Sequence, residues 1–397
     1  ALQQRQVSSA ELNRAKTQLQ AFFTLSNRDI TSQASQLGYN QTVAGDYRYS
    51  DRYLAGIAKV TAADIQRVAR LYLDAAKRTV GYFEPTQITG QPGAAQAAPT
   101  QTEENFSASE PVDPAEVAKY LPATISETST TQQPLPQRFQ FNNGLTVLLL
   151  PDASTPTMTL SGHIQAGTSF DSDAKAGIAS LTAENLTSGT SHKNTLALAQ
   201  ELENRGINLG FDTNREGVQV EGTALVKELP TLIATLADML QNSTFPTDQL
   251  VLTRQQALTQ LQVELDSPQV LGRRVFQQAV YPKGHPFYTF PTAASLKRIT
   301  RADVTRFYRQ HYRPDTVTLT LVGNFEPDQV RSLLQTSLGK WQAKGQAPAL
   351  RFPRVTVPKD VKRLNPVLPG KAQSVSYLGY QGISRKDPRY YAALVLN

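Results

Sequence analysis

An α+β fold, with an antiparallel-rich sheet covered by helices on one face, is what this 397-residue sequence predicts. Short runs with period two come in pairs joined by turn residues, as hairpins do. Longer runs place apolar residues three and four apart, as helices packed on one side do. The two kinds of run alternate, so the helices belong over one face of a hairpin-built sheet.

Residues 1–85 read as the end of one domain. Thr61 and Asp64 form a capping box that starts a helix through Arg70, and the helix feeds a strand, Thr79-Val80-Gly81-Tyr82-Phe83. The same ending recurs downstream. Thr300 and Asp303 start a helix through Arg309, a strand covers Val317 to Val322, and Gly323-Asn324-Phe325-Glu326-Pro327 matches Gly81-Tyr82-Phe83-Glu84-Pro85. Two copies of one ending predict two related domains, the first lacking its own beginning. Residues 86–134 are rich in Pro, Ala, Gln, Thr and Ser and read as a linker. One short helix interrupts it, with Asp113 as cap, Pro114 at its first position and Glu116 to Tyr120 following.

Residues 135–345 form the second domain. Phe139 and Phe141 alternate into Asn143-Gly144, which offers a type I′ turn, and Leu145, Val147 and Leu149 alternate on the return. Met158, Leu160, Gly162 and Ile164 make another strand. A helix follows from about Lys175 to Thr187, and a second from about Leu196 to Arg205 ends at Gly206. Ile207, Leu209 and Phe211, then Val218 and Val220, form a hairpin around Asn214-Arg215-Glu216-Gly217. Leu229, Leu232, Ile233, Leu236 and Leu240 recur at helical spacing, the helix bearing Gln260 comes next, and Gln269 to Val280 precedes the repeat. Residues 346–371 are a second linker, and 372–397 begin a further domain. The chain opens on the end of a helix with no Met and closes inside the apolar run Tyr390 to Leu396, so we expect a piece of a longer protein.

Composition narrows the classes. The chain is 40% hydrophobic and long enough for more than one core. No apolar run reaches the ~18 residues of a membrane-spanning helix. There is no cysteine, which excludes disulfides and thiolate metal sites and accords with an exported, periplasmic bacterial setting. The net charge of +7 comes from scattered Lys and Arg rather than a patch, so no nucleic-acid partner is expected. His163, His192, His285 and His311 form no i, i+3 or i, i+4 pair. His163 reads as a strand residue, His311 as a helix end and Gly284-His285-Pro286-Phe287-Tyr288 as a structural turn. No G-x-S-x-G elbow and no phosphate loop occurs.

The stretch Gly177-Ile178-Ala179-Ser180-Leu181-Thr182-Ala183-Glu184, closed by Gly189-Thr190, carries the functional signal. It resembles the inverted zinc motif of the insulinase/pitrilysin family, G-x-A-H-x-x-E-H with a following Gly-Thr. Ser180 stands where the resemblance wants the first His, Ala183 the catalytic Glu and Glu184 the second His. The family's third ligand, a Glu about 76 residues further on, falls on Gln260. Around it Arg254, Leu258, Leu261, Asp266 and Pro268 match the family frame. Zinc needs imidazole or carboxylate donors and a Glu to activate its water, so all four functional positions are altered inside a recognisable frame.

The resemblance implies the fold of the mitochondrial-processing-peptidase subunits. It assigns 1–85 to a peptidase-like domain of a first half, 135–345 to a degenerate metal-free domain, and 372–397 to the last domain. It implies that the whole protein is a zinc metalloendopeptidase whose halves enclose a peptide substrate, with the zinc in an N-terminal domain outside this chain. This chain would then hold no catalytic residue and no cofactor, and its partner would be its own N-terminal half. Two alternatives stay open: a non-catalytic assembly subunit of the same fold, or the inactive partner of a separately encoded active peptidase.

Overall fold

The structure is a computed structural model that describes residues 1–82, 119, 135–357, 360–371 and 373–396. Ala1–Lys77 and Pro136–Asn397 group as one compact unit, and Arg78–Leu135 as another. The short helix expected at 114–120 lies outside the described residues.

Four helices open the chain: α1 (Ser9–Ser26), α2 (Ile30–Ala44), α3 (Tyr49–Lys59) and α4 (Ala62–Tyr72). The predicted capping box of α4 is present. Thr61 N donates to Asp64 Oδ2 at 3.0 Å, and Asp64 N donates to Thr61 Oγ1 at 3.2 Å. The strand expected after it is not. Among the described residues Thr79 to Tyr82 pair with nothing, and Val80 and Tyr82 are exposed. A strand exists only through its neighbours, and the described residues offer this copy of the repeat none.

The second domain supplies six strands: β1 (Gln137–Gln140), β2 (Thr146–Pro151), β3 (Thr157–Ile164), β4 (Asn208–Thr213), β5 (Val218–Leu225) and β6 (Val317–Gly323). They form one sheet in the order β1-β2-β6-β3-β5-β4. Only β2 and β6 pair parallel; every other neighbour is antiparallel. The first hairpin does not turn as expected. Type I′ needs positive φ at both central residues. Only Gly144 has it, at +92°, and Gly144 N donates to Phe141 O at 2.9 Å. The turn is therefore one residue wider, ending in a left-handed glycine. Asn143 is instead drawn aside, its Nδ2 donating to Leu338 O at 2.8 Å and Trp341 O at 3.0 Å.

Eight helices accompany the sheet: α5 (Ile178–Glu184), α6 (Thr195–Glu203), α7 (Leu229–Asn242), α8 (Thr247–Leu265), α9 (Pro268–Val280), α10 (Ala293–Arg298), α11 (Arg301–His311) and α12 (Pro327–Leu338). A last one, α13 (Tyr390–Leu396), closes the described chain. Period-two burial puts Val147, Leu149, Leu160, Ile164, Val218, Val220, Leu319 and Leu321 on one face, in a cluster with Leu232, Ile233 and Leu236 of α7 and Leu334 of α12. The opposite face presents polar residues such as Thr159, Ser161, His163, Gln219, Thr318 and Thr320, half-buried or exposed. Against it lies α1, whose neighbour Arg28 donates to Thr159 Oγ1 at 3.2 Å. Among the described residues no helix is long and apolar enough to cross a membrane.

Candidate functional site

The altered motif sits on α5, shorter than its sequence pattern suggests. Gly177 begins it with φ +100°, and a Cβ there would stand 2.6 Å from Leu296 Cδ2. Only glycine meets both demands. Asp171 supplies the missing cap, accepting from Gly177 N at 2.6 Å and Ala179 N at 3.1 Å. Burial pushes this carboxyl up to about 7, against the pull of the two amide donors. At the other end Asn185 is fully buried. Its Nδ2 donates to Leu181 O at 2.8 Å, and its Oδ1 accepts from Thr253 of α8 at 3.4 Å. The motif helix thus packs against α8, α11 and the edge strand β4.

The structure brings the two altered helices together but gives their four positions different surroundings. Ala183 is buried in the core, Ser180 is half-buried and Glu184 is exposed. Partial desolvation where α5 meets β4 raises the Glu184 carboxyl, and the charge of Asp212 on β4 raises it further. Gln260 lies on the exposed side of α8, where its Nε2 donates to Glu264 Oε1 at 3.1 Å, one turn along its own helix. The donor set is one carboxylate, one hydroxyl and one amide, with a methyl where a base is needed. Zinc takes three protein donors from His, Asp, Glu or Cys in a catalytic site, so these residues do not fit it. Among the described residues no group of three or more His, Asp or Glu is placed to hold a metal ion.

The histidines do other work. His163 stands on β3, its Nδ1 3.1 Å from Gln219 Nε2. His285 is buried in its turn and accepts from Phe287 N at 3.1 Å. His311 ends α11, buried between the rings of Phe307 and Phe170 at 4.2 and 4.5 Å. His192 was not singled out by sequence, yet its Nδ1 lies 2.6 Å from Asp238 Oδ1. Asp238 also accepts from Thr190 Oγ1 at 2.7 Å and Asn242 Nδ2 at 2.8 Å. Burial pushes Asp238 up, but these hydrogen bonds and the imidazole charge outweigh it and hold the carboxyl below its usual range. Thr190 closes the motif, and its hydroxyl also accepts from Lys193 N at 3.0 Å. The retained Gly-Thr therefore builds a loop. Asp238 is 46 residues from His192, and Asp171 precedes the motif, so no local spacing announced either.

The family model described as Insulinase (Peptidase family M16) matches residues 146–285, and that described as Peptidase M16 inactive domain matches 298–397. A probable mitochondrial-processing peptidase subunit beta of Schizosaccharomyces pombe is 25% identical over 281 residues, 70% of this chain and 61% of the relative. The mitochondrial cytochrome b-c1 complex subunit 1 of Bos taurus is 29% identical over 209 residues, 51% of this chain and 42% of the relative. The chain therefore spans between 42% and 61% of these relatives' lengths. The crystal structure of a peptidase M16 inactive domain from Pseudomonas fluorescens superposes with a TM-score of 0.52 at 25% identity, covering 56% of this chain and 54% of that one. A motif frame kept while its donors are replaced, on this sheet and with these matches, has one reading: the chain belongs to the insulinase family of peptidases, M16, and carries a domain of its inactive type.

Proposed function

We propose that residues 135–345 form the inactive half-domain that closes a peptide-digesting chamber in a longer zinc metalloendopeptidase, whose metal lies in an N-terminal domain outside this chain. The observation that carries the reading is the packed pair α5 and α8, still framed by Gly177, Asn185 and Thr253, with Ser180, Ala183, Glu184 and Gln260 at the functional positions. A frame kept without its donors accords with a wall whose shape matters and whose chemistry is done elsewhere. The peptide substrate, the pairing with an active half and a bacterial periplasmic location belong to the same proposal. The test is metal analysis and cleavage of an internally quenched peptide by the full-length gene product beside this chain. One zinc per full-length protein and cleavage by it alone is the expected outcome. A full-length product with neither zinc nor cleavage overturns the reading.

A second reading is supported by the likeness to a cytochrome b-c1 complex subunit. A fold of this family can serve assembly alone. The full-length product would then co-purify in a stable complex, free of zinc and without peptidase activity.

A further inference from the structure

Arg215 is a half-buried cation that meets no carboxylate among the described residues. The turn that carries it is fixed from both sides. Thr168 N and Ser169 N donate to Asn214 O and Arg215 O at 2.9 and 3.1 Å, and Asn214 Oδ1 accepts from Gly217 N at 2.9 Å. The half-buried guanidinium donates through Nη1 to Pro286 O at 2.6 Å and through Nη2 to Gln277 Oε1 at 2.8 Å. Its carbon lies 4.8 Å from the ring centre of Phe287 and 5.1 Å from that of Phe290. None of these partners carries a negative charge. Burial lowers its proton affinity, and the charge of Arg273 lowers it further. Two other arginines do meet carboxylates: Arg313 is gripped by Asp315 through two bonds of 2.9 and 2.8 Å, and Arg205 meets Glu228 at 3.0 Å. A guanidinium has five N–H donors in a rigid fork, so three remain at Arg215. A partly desolvated cation held rigid without a counter-charge is preorganised for an anion.

A cavity of about 780 Å³ opens onto it. Phe287, Leu350 and Phe352 give it apolar walls, and His163 lies in the wall as well. The Gln219 amide lies 3.1 Å from His163 Nδ1, a contact that favours the tautomer with Nε2 as a second donor. The wall also holds two acids. Asp315 is neutralised by Arg313, and Glu216 is exposed. At the margin Glu216, unpaired among the described residues, disfavours a multiply charged anion such as phosphate and leaves a single carboxylate as the better match. An anion beside an apolar group, both on one residue, is what the last residue of a peptide presents.

We propose that this pocket binds peptide C-termini, with the terminal carboxylate on Arg215 and an apolar last side chain against Phe287 and Phe352. The site stands on the surroundings of Arg215 and does not depend on the chamber reading. The probe is N-acetylphenylalanine, titrated calorimetrically into the whole chain. Saturable binding at or below about 10 mM is expected, with N-acetylphenylalaninamide at least about tenfold weaker because it lacks the charge. Arg215→Lys keeps the charge but not the fork and should weaken binding about tenfold. Because that change also touches the Pro286 contact, Phe352→Ala serves as a second variant. Phe352 is 61% exposed, so its truncation should weaken binding severalfold while leaving thermal unfolding in place. Equal affinity for acid and amide overturns the proposal, as do unchanged affinity in both variants and absence of binding at about 10 mM. Displacement of the probe by equimolar inorganic phosphate overturns the assignment to a monocarboxylate.

Discussion

Glu184 is the one carboxylate left at the four altered positions, and what it lacks is company. Ser180 is one helical turn behind it, and Gln260 stands on the helix packed alongside. The unaltered chain is accordingly expected to retain far less than one zinc per chain after mild dialysis, measured by elemental analysis. The quadruple change Ser180→His, Ala183→Glu, Glu184→His and Gln260→Glu restores three donors and a base. The groups that would orient those donors are not restored with them, so zinc should bind about 10- to 100-fold more weakly than at an intact site, with little or no peptide hydrolysis. A folded quadruple variant that takes up no zinc at submillimolar concentration would show that these helices are no metal frame. His311 offers a separate test. Burial, then the nearby Arg313, lowers its pKa to about 4, and its Nδ1 has no partner. The unfolded chain takes up this proton near 6.5 and the folded chain only near 4, so the residue withdraws stability as pH falls through that window. His311→Phe keeps a ring between Phe170 and Phe307 and should flatten that part of the urea-midpoint profile. An unchanged slope between pH 6.5 and 4 counts against the assignment.

At the scale of elements, the Thr-x-x-Asp capping box of the repeat recurs in both copies and is weighted differently. The capping boxes of α4 and α11 have nearly the same hydrogen bonds, with Thr300 N to Asp303 Oδ2 at 2.9 Å and the return bond at 3.2 Å. Asp303 gains a further partner, Lys175 Nζ at 2.6 Å, which ties α11 to the segment before α5. Burial raises the Asp303 carboxyl, but Lys175 and Thr300 outweigh it and bring it to about 2. An acid with a depressed pKa stabilises above its unfolded value near 3.8, and that contribution is lost as pH falls toward 2. Asp303→Asn should therefore narrow the stability difference between pH 5 and pH 2 in chemical denaturation. Identical acid profiles for variant and parent would refute it. Thr300→Ala should cost about 1 kcal/mol, whereas Thr61→Ala, at the copy whose Asp64 has no lysine partner among the described residues, should move the unfolding midpoint less. Equal shifts in both would mean that the surroundings of the cap do not matter.

For the whole molecule, the continuous core runs from Phe141 to Trp341 and includes no residue of 1–77. α1 meets the polar face of the sheet, and Ala21 is its one buried residue. A fragment of residues 135–345 should fold by itself, because the hydrophobic term scales with apolar area removed from water. The expected result is one cooperative urea transition with near-ultraviolet circular dichroism retained. A non-cooperative transition with dye-accessible apolar surface would mean that the opening helices supply something the core lacks.

Local chemistry settled a good deal of this protein from sequence. Period-two runs located the strands β2, β3, β5 and β6, because a strand with one buried face must alternate. Thr61-Asp64 and Thr300-Asp303 announced their helices, since a capping box closes over three residues. The altered motif was legible for the same reason: Ser180, Ala183 and Glu184 are neighbours along the chain. What needed the tertiary structure were the pairings that no short window contains. The parallel contact of β2 with β6 joins residues more than 160 apart, and a run of alternating residues carries no mark of its neighbour. Thr79 to Tyr82 have the strand pattern but no strand, because pairing and not propensity makes a sheet. The His192–Asp238 pair and the cage around Arg215 arise where distant elements pack. Each depends on distance and desolvation, which only the folded chain sets.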